Sequence, residues 1–194
     1  MARTESLMLP LKTKAANFTL PNSVNQKPVS LDQVKGTTGT LIIFMCNHCP
    51  YVLHLLDKIV AVSHQIEKWG SNTVAISSND VEHYPDDRPE LMRKLAVEKS
   101  FGFPYLYDET QEVALAYKAA CTPDFYLFDD DLELVYRGRF DDARPKNDNP
   151  ITGKDLLEAC DKLSKGLKQD VNQIPSLGCG IKWKAAKESR GLAN

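Results

Sequence analysis

Long apolar runs are missing from this sequence. No stretch approaches the roughly 20 residues a helix needs to cross a bilayer, so no membrane-spanning helix is expected. Excess charge is missing too. With 24 Lys and Arg against 26 Asp and Glu, the net charge is −2, and nothing points to nucleic acid or an anionic membrane as partner. Residues 1–16 are polar and mixed and lack the apolar h-region of a signal peptide, so the expected location is cytoplasmic. Cysteine is scarce and odd in number, 5 in 194 residues, which excludes a disulfide-stapled scaffold. There is no internal repeat and no low-complexity tract. What remains, 42% hydrophobic and 26% charged residues, is the composition of a soluble globular chain long enough for one full core.

Two of the cysteines stand three residues apart in Phe44-Met45-Cys46-Asn47-His48-Cys49-Pro50-Tyr51. An apolar run, residues 40–45, precedes them, and a helical pattern follows. The order is strand, dithiol, helix. A helix start carries unpaired N–H groups and partial positive charge, which favours the thiolate, the reactive form of cysteine. The pair therefore reads as a redox dithiol. A structural disulfide and half of a zinc site are the competing readings. Zinc needs a second C-x-x-C or a spaced histidine pair, whereas Cys121, Cys160 and Cys179 are single and His54 and His64 lie ten residues apart on the predicted helix.

The rest of the chain alternates strands and helices. Residues 18–20 and 29–31 flank a turn with Pro21, Asn22 and Asn25 and predict an N-terminal hairpin. Residues 40–45 are apolar throughout, as in a central parallel strand covered on both faces. From Pro50 onward Val52, Leu55, Leu56, Ile59, Val62, Ile66 and Trp69 recur at helical spacing, and Gly70 ends that helix. Residues 73–77 predict a second buried strand, 78–88 a polar loop, 89–99 a short helix and 105–107 a short strand. Residues 111–118 predict a helical turn or two. Residues 125–128 and 132–137 predict an antiparallel hairpin with a solvated tip at Asp129-Asp130-Asp131. Residues 152–167 predict a last helix, with Cys160 as a small buried hydrophobe on its apolar stripe. Residues 168–194 read as an irregular tail with one apolar knot at 174–183. Such an order argues an α/β chain with a parallel core and an antiparallel edge.

Several segments together resemble the thioredoxin superfamily, and within it the redoxin group related to peroxiredoxins and membrane-tethered thiol reductases. They are Asn17-Phe18-Thr19-Leu20, Cys46-Asn47-His48-Cys49-Pro50-Tyr51-Val52, Cys121-Thr122-Pro123-Asp124-Phe125, Tyr136-Arg137-Gly138-Arg139 and residues 175–183. The resemblance implies a thioredoxin fold: a central mixed sheet flanked by helices, with an N-terminal β-hairpin and an irregular C-terminal tail. One domain would span residues 1–194, with its core at about 15–167 and its tail at 168–194. It implies Cys46 and Cys49 as catalytic thiols, a cis Thr122-Pro123 bond facing them, and Thr122 and Pro123 shaping a substrate face whose free backbone pairs with an extended substrate segment. His48, with Asn47 beside it, would tune Cys46 toward the thiolate and the protein toward the more oxidising members. The chain departs from thioredoxins in having Met45 before the first cysteine and no buried acid in the strand at 40–45.

Cys121 and Cys179 are candidate extra redox thiols. Cys121 stands two residues before Pro123, and Cys179 lies between two glycines in the tail, where it would act as a third thiol or pair with Cys121. The resulting expectation is a thiol–disulfide oxidoreductase acting on a disulfide-bearing protein or a glutathione-like substrate, as monomer or homodimer, with an electron donor the sequence does not name and neither organic cofactor nor metal required. Peroxide reduction is the rival within the fold. The Pro and Thr or Ser that peroxiredoxins place upstream of the attacking cysteine are replaced by Gly39 and Ile43 ahead of Cys46, and Arg139 is the one candidate helper. Copper or another soft metal on Cys46 and Cys49 with His48 nearby is a further reading, and a structural or interaction role with a vestigial dithiol is the last.

Overall fold

In the computed structural model, which describes residues 3–185, the elements follow in the order β1 (Arg3–Glu5), β2 (Thr19–Pro21), β3 (Pro28–Ser30), α1 (Leu31–Val34), β4 (Gly39–Phe44), α2 (Pro50–Glu67), β5 (Ser71–Ser77), α3 (Pro89–Glu98), β6 (Tyr105–Tyr107), α4 (Glu112–Ala116), β7 (Cys121–Thr122), β8 (Asp124–Asp129), β9 (Leu134–Gly138), α5 (Lys154–Ser164) and β10 (Leu177–Gly180). Five strands form the central sheet in the order β6-β5-β4-β8-β9. The β6-β5-β4 side is parallel and the β4-β8-β9 side antiparallel. This is the mixed sheet of the thioredoxin fold, and the predicted N-terminal hairpin is the separate β2-β3 pair.

Every residue of β4 is buried, because helices cover both faces of the sheet. Side chains alternate along a strand, so Leu41, Ile43 and Met45 pack with Val52, Leu55, Leu56 and Ile59 of α2 and with Leu156 and Cys160 of α5. Ile42 and Phe44 pack the other way, against Leu31 and Val34 of α1, Val113 and Ala114 of α4, and Phe18 and Leu20. Each fully buried side chain of this size contributes about 1.5–3 kcal/mol relative to exposure. That apolar stripe, more than intrinsic propensity, holds α2 as a helix. Gly70, at φ 82°, takes the left-handed conformation that turns the chain from α2 into β5.

The register places Phe44 opposite Ile76 on one side and Asp124 on the other. The end of β4 is thereby set between the loop after β5 and the turn before β8, and the dithiol follows β4 directly.

The tail is irregular as predicted over residues 168–176, its knot holds a strand, and residues 186–194 lie outside the described residues. Residues 177–180 form β10, the middle strand of a three-stranded antiparallel sheet ordered β1-β10-β7. Cys179 pairs with Thr122 and Gly180 with Cys121, while on the other side Cys179 lies opposite Arg3. Gly178 permits this approach, since a Cβ there would run into the carbonyl of Thr122. The last helix is shorter than predicted, Lys154–Ser164 rather than 152–167. Gly178→Ala is therefore expected to destabilise the protein by about 1–3 kcal/mol through overpacking, with lost amide protection concentrated in β10 and β7. Urea denaturation together with hydrogen exchange checks both, and unaltered protection of β10 would contradict the close approach.

Candidate active site

The loop between β4 and α2 carries the dithiol. Its first turn is anchored where Met45 N–H donates to the Ile76 carbonyl at 2.9 Å, and α2 is entered where Leu53 N–H donates to the Cys49 carbonyl at 3.0 Å. Cys49 is the N-cap of α2, and Pro50 fills its first position, where the missing N–H costs nothing. Cys46 and Cys49 are both free thiols, only 1% and 0% exposed. Both face Thr122. The Cys46 Sγ lies 3.6 Å from the Thr122 hydroxyl, and the Cys49 thiol donates to the Thr122 carbonyl at 3.0 Å. The Thr122-Pro123 bond is cis.

A residue the sequence reading passed over shapes this loop. Asp87 ends a single 3-10 turn, Pro85–Asp87, and its side chain is fully buried. Its Oδ1 accepts from the backbone N–H groups of Asn47 at 2.7 Å and His48 at 3.3 Å. Its Oδ2 meets His48 Nδ1 at 2.6 Å and accepts from Asn79 Nδ2 at 2.8 Å. One carboxylate thus ties down both residues between the cysteines. Asn47 is held further, donating to the Asp86 carbonyl and accepting from the Tyr105 hydroxyl. Local sequence gave no signal for Asp87: it follows another aspartate in a polar segment, and its burial arises only when that segment folds onto the dithiol loop.

The helix begins at Pro50, so Cys49 rather than Cys46 occupies the capping position. Cys49 is drawn down to about 5 by the hydrogen bond from Cys46, against its burial, with further help from Thr122, the Val52 N–H and the thiol of Cys179. Cys46 is pushed well above the ordinary thiol range because its proton is held toward Cys49, because it is buried, and because Asp87 is close. The pair gives up its first proton readily and its second with difficulty, and the remaining proton belongs to both sulfurs. When it sits on Cys49, the S–H donates to the Thr122 carbonyl and the charge passes to Cys46, beside the Thr122 hydroxyl. His48, expected to tune Cys46, has a ring nitrogen within 4.8 Å of the Cys46 sulfur. Its ring turns to Asp87, whose hydrogen bond raises the imidazole pKa against the opposing effect of burial, and it stacks on Tyr84 with centroids 5.7 Å apart. Burial works to raise Asp87, but the His48 and Asn79 hydrogen bonds hold it below the usual carboxylate range.

The other predicted residues divide. The backbone edge of Thr122, expected to be free, is occupied by β10. Cys121 lies on the opposite face of β7 from Thr122, as adjacent strand residues do, and burial drives its pKa far up. Cys121 and Cys179 are offset by one position in the β7-β10 register, so they too point to opposite faces and a bridge between them is disfavoured. Cys160 is buried in α5, where burial raises its pKa to about 12. Arg139 is engaged by Asp155. Cys46, His48 and Asp87 offer three ligand atoms within 4.8 Å of one another, but four hydrogen bonds already engage the Asp87 oxygens.

Residues 11–137 match the AhpC/TSA family. No curated protein matches the sequence. Among solved structures, the chain is similar to an uncharacterized conserved protein from Geobacillus kaustophilus, at 50% identity over 95% of this chain and 98% of that one, with a TM-score of 0.93. It is also similar to a hypothetical protein from Sinorhizobium meliloti 1021, at 41% identity over 94% and 99% of the two chains, with a TM-score of 0.91. The thioredoxin domain of a thiol-disulfide oxidoreductase from Bacteroides vulgatus shares 18% identity over 80% of this chain and 99% of that one, with a TM-score of 0.61, a likeness that shows the fold alone.

Thiolate absorbance of the reduced protein is expected to rise in one step with a midpoint of about 5 and in a second step well above the ordinary thiol range. Asp87→Asn removes the negative charge that opposes ionisation of Cys46, so it should move the second step down. A single step near the ordinary value of about 8.5 would contradict this description of the pair.

Proposed function

The chain belongs to the AhpC/TSA family, and from that premise we propose that it is a thiol–disulfide oxidoreductase working through Cys46 and Cys49. The observation that carries this reading is the pair of adjacent free thiols, one of them capping α2, both turned to Thr122 before the cis bond. A first proton lost easily makes a nucleophile at neutral pH. In the proposed cycle the Cys46 thiolate attacks one sulfur of a substrate disulfide. A bond forms between Cys46 and that sulfur, and the other half leaves as a thiolate and takes up the proton left on Cys49. The Cys49 thiolate then attacks Cys46, the Cys46–Cys49 bond forms, and the second half of the substrate leaves. Two electrons pass from the dithiol to the substrate. A thiol donor must return them by the reverse exchange.

Asp87 would act as a positioning residue, fixing the loop backbone so that the two sulfurs stay within reach of one another. The substrate is proposed to be a protein disulfide or a small glutathione-like one, and the place of action the cytoplasm. Among the described residues no helix is long and apolar enough to cross a membrane. The family match also supports a second reading, thiol-dependent peroxide reduction, for which the same dithiol would be the reductant. Gly39 and Ile43, one entering and one inside β4, leave that reading without the hydroxyl side chain peroxiredoxins place upstream.

Oxidised glutathione added to the reduced protein should yield the Cys46–Cys49 disulfide, followed by thiol alkylation and mass spectrometry. Cys46→Ser should cut turnover by more than about 10³-fold, as loss of a nucleophile does. Cys49→Ser should instead accumulate a mixed disulfide on Cys46. Turnover that survives Cys46→Ser would refute the assignment, and peroxide consumption without disulfide turnover would favour the second reading.

A further inference from the structure

Strand β10 occupies the backbone edge of Thr122 that the sequence resemblance assigns to a substrate. It pairs antiparallel with β7, so that Cys179 stands directly opposite Thr122. Residues directly opposite in an antiparallel pair share a face, with Cβ atoms about 4.5–5.5 Å apart. The Thr122 hydroxyl points to Cys46, 3.6 Å from its sulfur, so the Cys179 side chain points to the dithiol as well. Cys179 packs in one buried cluster with Cys46 and Cys49. Thr122 Oγ1 also donates to the Cys179 carbonyl at 3.5 Å. The site therefore gathers three thiols around one threonine, Cys46, Cys49 and Cys179, and the third is delivered by an extended segment from the other end of the chain.

We propose that β10 is a built-in substrate strand and that Cys179 is a third redox thiol, exchanging with Cys49 after the dithiol has been oxidised. This rests on the Cys46–Cys49 reading above. In the step, Cys179 loses its proton and its sulfur attacks Sγ of Cys49 in the Cys46–Cys49 disulfide. The Cys49–Cys179 bond forms as the Cys46–Cys49 bond breaks, and Cys46 leaves as a thiolate that takes up the proton. No electrons enter or leave. The oxidising equivalent moves from the buried loop to the tail strand, and Cys46 returns to its reduced state.

The surroundings make this exchange conditional. In the reduced protein Cys179 is held at about 12, first by burial and then by the hydrogen bond and the charge of Cys49, while Lys182 works in the other direction. Once Cys49 is in a disulfide it carries neither charge nor an acceptor thiolate. Two of those three raising influences then vanish and the Lys182 charge remains, so Cys179 becomes easier to ionise when a disulfide is there for it to attack. On either side of Cys179, Gly178 lets the strand lie tightly along Thr122, and Gly180 leaves room for the Thr4 side chain of β1.

The test is disulfide mapping of the full chain. Reduced protein is equilibrated in a series of glutathione redox buffers, quenched in acid, alkylated, digested and analysed by mass spectrometry. The proposal expects a peptide linking Cys49 to Cys179 beside the one containing the Cys46–Cys49 bond, and its loss in Cys179→Ser. Cys179→Ala, which removes the thiol without adding a polar group, should give the same loss, with circular dichroism confirming that each variant folds. A Cys46–Cys49 bond that forms while Cys179 is alkylated as a free thiol in every buffer would overturn the proposal and leave the dithiol reading standing. Failure of the Cys46–Cys49 bond itself to form would overturn both.

Discussion

A single buried carboxylate sets the shape of the dithiol loop. Between β4 and α2 the chain must leave a sheet whose strands are hydrogen-bonded on both sides and start a helix within a few residues. The backbone N–H groups of Asn47 and His48 would be orphaned there, and unpaired buried donors are costly. Asp87 accepts from both and from two side chains as well. An ionised carboxylate without water is tolerable only when its lone pairs are met in this way. Asn79, one of its donors, accepts in turn from the Lys182 N–H at 2.8 Å, two residues beyond β10. The loop that carries the cysteines and the tail that covers them are thus joined through one polar network.

Within that frame the sulfurs share a limited supply of protons. Cys49 sits at the end of a helix, where N–H groups and the helix dipole favour negative charge. Cys46 sits nearer to Asp87, which disfavours it. The outcome is one anion over two sulfurs, and the Thr122 carbonyl and hydroxyl give each arrangement of the remaining proton a partner. The same threonine pairs its backbone with β10. Thr122 is therefore where protonation of the dithiol, closure of the site and placement of Cys179 meet.

The central sheet was legible because its strands are short apolar runs, and α2 because its apolar residues recur every three or four positions. The dithiol was legible from its spacing, and the cis turn from the resemblance. Strands β1 and β10 were not. Arg3-Thr4-Glu5 has no apolar residue, and Leu177-Gly178-Cys179-Gly180 has two glycines, which depress strand propensity. Their pairing joins the two ends of the chain and is set by tertiary contact. Asp87 was illegible for the same reason, since beside Asp86 it looks like any solvated acid. The exact start of α2 was not legible either: it begins at Pro50, so the capping position falls on Cys49 and not on Cys46.

Charge held easily on the reduced pair has a direct redox consequence. A thiolate stabilised in the dithiol form favours that form and raises the potential of the couple. Equilibrating the protein with defined glutathione mixtures, and counting Cys46 and Cys49 thiols by alkylation at each ratio, measures that potential. The account predicts a value above the roughly −270 mV of thioredoxin, toward the about −120 to −230 mV of oxidants, isomerases and glutaredoxins. A value below thioredoxin's would contradict it.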